Sequence, residues 1–232
     1  MLRFGQAIAL VPLRFKRIGR HLLRGLNSAV NPQFPTLPVN PFLKWWIELF
    51  FLLIDLLAVP EIYETVMDIL KWRTRSLTKD EIKLAKSVFG DAINYLRVRI
   101  DERATIACKQ HRLYYVSFYT INAWGTFSDD IFIHEMMHIW QFQVMGSIYI
   151  PRALWAQHTS AGYNYGGIIA LQKAKNQGKG ISAFNLEQQA DIVSDYYCLS
   201  NGLMPRWVAP SNFEMIGLYE YFIKKIRMKN VD

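Results

Sequence analysis

Ser128-Asp129-Asp130-Ile131-Phe132-Ile133-His134-Glu135-Met136-Met137-His138-Ile139-Trp140-Gln141-Phe142-Gln143-Val144 is the stretch from which the rest of the chain is read. Ser128 is a residue that caps helix starts, Asp129 and Asp130 sit where a helix presents its positive end, and Gly146 follows as a stop. The spacing predicts one helix through about Val144. On that helix His134 and His138 are four residues apart and project from one face. Their imidazoles can therefore share a single metal ion, with zinc–nitrogen bonds of about 2.0–2.1 Å. Glu135, one position on, is displaced to the side of the metal. There it can take a proton from an attacking water and later hand it to a leaving amine. The five-residue pattern is short enough to arise by chance, and the competing reading is two ordinary half-buried histidines beside a solvated glutamate. Three features favour the metal: the well-delimited helix, the β-rich segment before it, and the use of two of only five histidines in the chain.

Two histidines do not complete a catalytic zinc site, which generally has three protein ligands and one open position. The third is expected from Asn185-Leu186-Glu187-Gln188-Gln189-Ala190-Asp191, where Asn185 and Gln188 form a cap pair opening a helix to about Ser200. Glu187 lies in its first turn and Asp191 one turn later on the same face, placed to accept the second ring N–H of a liganded histidine. A plainer role for Glu187 is to face the positive helix start. His158 is the rival ligand, while His111 and His21 have no partner pattern.

Around this pair of helices the punctuation is regular. Thr78 and Glu81 form a capping box for a helix to about Phe89, closed by Gly90. Leu96 to Asp101 alternates and reads as a strand, and Tyr114 to Trp124, rich in aromatic and β-branched residues, as a longer one. Ser211 and Glu214 are expected to open a last helix ending near Lys224, Lys225 and Arg227. Ile148 to Gly180, rich in Gly and Tyr, reads as less regular, and no internal repeat is visible. Cys108 and Cys198 lie outside any C-x-x-C spacing and are compatible with either a disulfide or two free thiols.

The charge is unevenly spread. Of 27 basic residues seven precede Glu48 (Arg3, Arg14, Lys16, Arg17, Arg20, Arg24, Lys44), with no acid among them, leaving 20 against 19 acids in the rest. A nucleic-acid binder would carry a basic face on its folded body, so nucleic acid is not expected as a partner. At 51% apolar and 14% aromatic residues the body has ample material for a core. Its near-neutrality gives no electrostatic preference among substrates. Residues 1–41 read as a basic amphipathic arm and Pro-rich linker, and 42–75 as an apolar helix, membrane-associated or packed on the domain. The catalytic domain is read as 76–232. The apolar run Trp45 to Val59 is short for a span, which needs about 20 residues, and carries Glu48 and Asp55 on one face. Spanning would put the body in the periplasm, whereas lying flat would leave both on one side. Either way, a membrane surface or inner membrane is the expected partner of residues 1–60.

The His134-Glu135-x-x-His138 motif followed by Glu187-x-x-x-Asp191 resembles the gluzincin metallopeptidases. More narrowly, Leu77-Thr78 to Glu81, Val88-Phe89-Gly90-Asp91, Phe132 to Gln141 and Glu187 to Asp191 resemble zinc peptidases encoded with bacterial Rhs and type VI secretion proteins. The resemblance covers roughly Leu77 to Ser200. It implies one zinc per chain held by His134, His138 and Glu187, with Glu135 as base and Asp191 behind a histidine. It also implies a Tyr or His for the oxyanion. Tyr163 and Tyr165 come first, because a Gly-bounded loop could reach the cleft, with Tyr196, Tyr197 and His158 competing. The fold expected is α+β and zincin-like, a small mixed sheet packed on a mainly helical body with an N-terminal helical arm. The expected substrate is a peptide bond, in the stem or cross-link peptides of peptidoglycan or in a dedicated protein partner, with secretion-system proteins as associates. A non-catalytic, zinc-stabilised assembly module is the alternative.

Overall fold

The computed structural model describes residues 2–28, 40–70, 74–105, 108–111, 113–160, 162–209 and 215–228. Its helices are α1 (Leu2–Ser28), α2 (Pro41–Leu56), α3 (Val59–Leu70), α4 (Lys79–Phe89), α5 (Cys108–His111), α6 (Asp129–Met145), α7 (Tyr149–Gln157), α8 (Gly167–Asn176), α9 (Leu186–Ser200) and α10 (Ile216–Arg227). The strands β1 (Arg75–Ser76), β2 (Arg99–Asp101), β3 (Tyr115–Ser117) and β4 (Thr120–Asn122) make one sheet in the order β1-β2-β4-β3. β2 and β4 are parallel, with Ile100 opposite Ile121, and the two outer pairings are antiparallel. The fold is α+β, as expected.

α6 is the central element. It is buried along most of its length, from Phe132 to Phe142, and packs chiefly on α9, with α4, α7 and β3 also against it. A helix apolar on all sides has to be enclosed, and this one is enclosed by other elements of its own chain. Ser128 occupies its N-cap position without a side-chain hydrogen bond, and Gly146 (φ 73°) ends it. α4 has the expected capping box, with both Thr78–Glu81 hydrogen bonds made. Glu81 also takes two hydrogen bonds from Arg75, at 2.8 Å each, which ties β1 to α4.

Three expectations need correction. Leu96 and Arg97 lie in a 3-10 turn, Tyr95–Arg97, so the strand begins only at Arg99. The Tyr95 hydroxyl on Gly90 O and the Asn94 N–H on Gln143 Oε1 hold the chain in that turn. The long strand Tyr114 to Trp124 is instead a tight hairpin, β3–β4, reversing at Phe118 and Tyr119. Phe118 has φ 56°, a costly conformation for an aromatic residue. Tertiary contacts hold it there, since its ring packs against Tyr63 and Phe142 and the Tyr119 N–H donates to Glu64 of α3 at 3.0 Å. Ile148 to Gly180 carries two regular helices, α7 and α8, which bury Ala153, Ala156, Leu171 and Ala174. The expected cap residues Ser211 and Glu214, and most of the Pro-rich break, lie outside the described residues. Cys108 and Cys198 are buried and form no disulfide, and burial pushes the Cys198 thiol up to about 12.

The N-terminal helices attach to the body through polar groups. Asp55 of α2 accepts the Ser147 N–H (2.9 Å) and hydroxyl (2.6 Å), and Arg152 of α7 binds both oxygens of Glu48 at 2.9 Å. Arg17 of α1 donates to Gln143 O and Val144 O, carbonyls of the last turn of α6, and so supplies positive charge at its negative end. Position 146 must be glycine for this docking, because a Cβ there would overlap the Asp55 carboxylate and Arg17. Among the described residues no helix is long and apolar enough to cross a membrane.

Candidate metal centre

His134 and His138 leave α6 one turn apart and meet α9, whose start is fixed by the Asn185–Gln188 capping box. Glu187, in the first turn of α9, is thereby carried against both rings. Its Oε2 lies 3.4 Å from His134 Nε2 and 3.3 Å from His138 Nε2, and the two Nε2 atoms are 3.2 Å apart. All three groups are shielded from solvent.

Each histidine is oriented from behind. His134 Nδ1 lies 2.8 Å from Asp191 Oδ1 and His138 Nδ1 2.8 Å from Gln141 Oε1. The Gln141 amide is oriented in turn, since its NH2 donates to Leu186 O and Gln189 Oε1. With acceptors at both Nδ1 positions, each ring in its neutral form carries its proton there and turns an Nε2 lone pair towards Glu187. Glu187 Oε1 accepts from Gln157 Nε2 at 2.9 Å, which leaves Oε2 buried without a hydrogen-bond donor.

Two nitrogen lone pairs and a carboxylate oxygen facing one point repel unless a positive charge sits between them. The charge state shows the same demand. Burial disfavours the His134 cation, yet the Asp191 and Glu187 carboxylates outweigh it and raise the ring to about 10. Burial likewise opposes charging of His138, and Glu187 again outweighs it. Glu187 itself is held far below the carboxylate range, burial being overcome by the two rings. A tetrahedral zinc with bonds of about 2.0–2.1 Å needs ligand atoms about 3.3–3.4 Å apart. The separations of 3.2, 3.3 and 3.4 Å match that edge length, and two imidazoles with one carboxylate are a catalytic zinc donor set. The residues therefore fit the ion that the motif implies.

Of the other sequence candidates, Glu135 is buried beside the cluster, and its Oε2 has no hydrogen-bond partner. Burial pushes its carboxyl up, opposed by His138 and His134. Tyr163 is brought in by the cap of α9. Asn185 Nδ2 donates to Gly162 O and Gln188 Nε2 to Asn164 O, so the residue between them is held with its ring 6.0 Å from that of His134. Burial first, then Glu187 and Glu135, push its hydroxyl up to about 12, so it keeps its proton. Tyr165 is not brought to the cluster. Its hydroxyl donates to Asp195 at 2.6 Å and meets Tyr219. Asp195 also accepts the Arg206 and Trp207 N–H groups, and Trp207 Nε1 donates to Asp191, so Tyr165 supports His134 indirectly. His158 is exposed, with Nδ1 on Leu154 O, and His21 is buried against Trp45 O.

Gln141, Gln157, Trp207 and Tyr149 are site residues that the sequence did not reveal. Tyr149 is buried with its ring 5.7 Å from His138, and its hydroxyl is pushed well up by burial and then by Glu187 and Glu135. A helix-start signal was available in Pro151, in the first turn of α7. Asp191→Asn is expected to keep zinc but to weaken its binding roughly 10–100-fold, the usual effect of changing a ligand's outer partner. Competition with a chromogenic chelator measures this, and wild-type affinity in the variant would refute the role of Asp191.

No family model matches the chain, and no solved structure matches it. Among curated proteins it is 31% identical over 139 residues to the type VI secretion system spike protein VgrG2b of Pseudomonas aeruginosa. The match covers 55% of this chain and 13% of that protein, so the chain corresponds to only a small part of the relative's length.

Proposed function

We propose that the chain is a zinc-dependent metallopeptidase working in association with a type VI secretion system. The observation that carries this reading is the convergence of His134 Nε2, His138 Nε2 and Glu187 Oε2 at tetrahedral spacing, with the buried Glu135 carboxylate, its Oε2 unpartnered, beside them. A bound zinc supplies Lewis acidity, lowering the pKa of a water towards about 7 and polarising a carbonyl. Glu135 takes the proton from the attacking water and delivers it to the leaving amine. Tyr163, protonated and held on its pinned loop, donates a hydrogen bond to the oxygen on which negative charge develops. Among the described residues β3 is an outer strand of the sheet, packed on α6, and its outer edge can align an extended peptide by strand addition.

The likeness to a secretion spike protein favours a substrate in the envelope such a machine meets, and the peptide-bearing polymer there is peptidoglycan. Stem or cross-link peptides are therefore the first choice and a dedicated protein the second. The purified chain is incubated with isolated sacculi and, separately, with unfolded casein, each with a chelator control. Muropeptide products that vanish with chelator support the first choice. Casein cleavage with untouched sacculi overturns it in favour of a protein substrate.

A further inference from the structure

Helices α1 to α3 are built inside out. On α2 and at its C-cap, Phe42, Trp46, Phe50, Leu53 and Leu57 recur at spacings of four and three and are all exposed, Phe42 by 71% and Phe50 by 60%. The opposite face carries Glu48 and Asp55, both buried. α3 repeats the pattern, with Val59, Ile62, Val66 and Ile69 outward and Glu61 and Glu64 buried. On α1, Ile8, Val11, Phe15 and Leu22 face outward while Arg14 and His21 are buried. Leu52 and Pro60 are the buried apolar side chains among the described residues of these helices, and the main core cluster contains none from them. The layer is joined instead by Arg14–Glu61, Arg17–Asp55, Glu48–Arg152 and the Glu64 contact with Tyr119.

In water this distribution is upside down. Buried ion pairs cost desolvation, and a contiguous apolar surface of this kind marks an interaction site. In a lipid environment it is the expected order, with ionisable groups turned inward and paired and apolar groups turned outward. We propose that α1–α3 form a platform seated in the interfacial layer of an anionic membrane, lying in its plane. None of the described helices meets the length and hydropathy of a span. Charge favours lipid over protein as the occupant. Glu48, Asp55, Glu61 and Glu64 of the layer are buried, whereas Lys16 and Arg24 are exposed and Arg20 half-exposed on α1, where anionic headgroups would meet them. Trp46, with its ring edge-on to that of Trp45, sits in the outward stripe, as suits a membrane–water boundary.

The test is co-sedimentation of the full chain with vesicles of phosphatidylcholine, alone or with phosphatidylglycerol, at low and high salt. Binding is expected to the anionic vesicles and to weaken as salt rises. Trp46→Ser with Phe50→Ser should lower partitioning by about tenfold or more per side chain. Lys16→Glu with Arg20→Glu should lower it by about fivefold or more per position. Both variants should keep wild-type hydrolysis of a soluble peptide, which checks folding. Equal binding to neutral vesicles overturns the anionic assignment. No binding to either vesicle, together with a concentration-dependent oligomer that the Trp46→Ser, Phe50→Ser variant abolishes, overturns the lipid assignment in favour of contact between copies of the chain.

Discussion

Glu135→Gln is expected to retain one zinc per chain while peptide hydrolysis falls by about 10²–10⁴-fold, the range contributed by a positioned proton carrier. Glu135 neighbours His134 in sequence but lies outside the three-atom cluster, so its amide removes no ligand atom. Its Oε2 is buried without a hydrogen-bond partner, so no hydrogen bond to that oxygen is lost with the charge. Burial raises the carboxyl from its ordinary range, the direction that makes a carboxylate a better proton acceptor near neutral pH. Stability should stay near wild type for the same reason. The measurement pairs metal analysis with initial rates on one peptide. Full zinc with undiminished rate would remove Glu135 as the base, and loss of zinc would make it part of the metal scaffold. A secretion-linked phenotype that survives the substitution would favour a zinc-stabilised assembly module over an enzyme.

His138→Ala is expected to abolish stoichiometric zinc and with it both activity and the thermal response to metal. With free zinc at about a thousand times its dissociation constant, binding stabilises the fold by about 4 kcal/mol. For a domain of this size that corresponds to roughly 8–16 °C in Tm. Chelator should therefore lower the wild-type Tm by an amount of that order and leave His138→Ala unmoved. Glu187→Ala should behave like His138→Ala, since Glu187 offers the third donor atom of the cluster and its buried negative charge. Stoichiometric zinc in Glu187→Ala, at unchanged affinity, would remove it as a ligand. No other His, Cys, Asp or Glu among the described residues forms a comparable three-group cluster.

Local chemistry made much of the centre legible. His134, Glu135 and His138 depend only on the helical repeat, and the capping pairs Thr78–Glu81 and Asn185–Gln188 act within one turn, so residue identity was sufficient. The spacing of Glu48 and Asp55 likewise revealed one charged face on α2. Their partners, Arg152 and Ser147, lie about a hundred residues away in sequence, and only the tertiary structure pairs them. The same limit applies at the candidate metal centre, where Gln141 orients His138 through a helix start at Leu186, and Gln157 reaches Glu187 from α7.

The hairpin at Phe118 marks the boundary most clearly. Tyr114 to Trp124 contains no Gly, and its one Asn lies in β4 rather than at the reversal, so no local signal for a left-handed turn was present. The reversal is imposed by Glu64 accepting the Tyr119 N–H and by Phe142 and Tyr63 enclosing the Phe118 ring. By itself, then, the sequence determined the helix that carries His134 and His138, the helix start that carries Glu187, and the α+β class, because each rests on periodicity or capping within a few residues. The tertiary structure decided the hairpin, the helices between Ile148 and Gly180, the placement of Tyr163 rather than Tyr165 beside His134, and the outward turn of apolar side chains on α1–α3. Each of these depends on a contact between residues far apart in the chain, whose free energy no local pattern encodes.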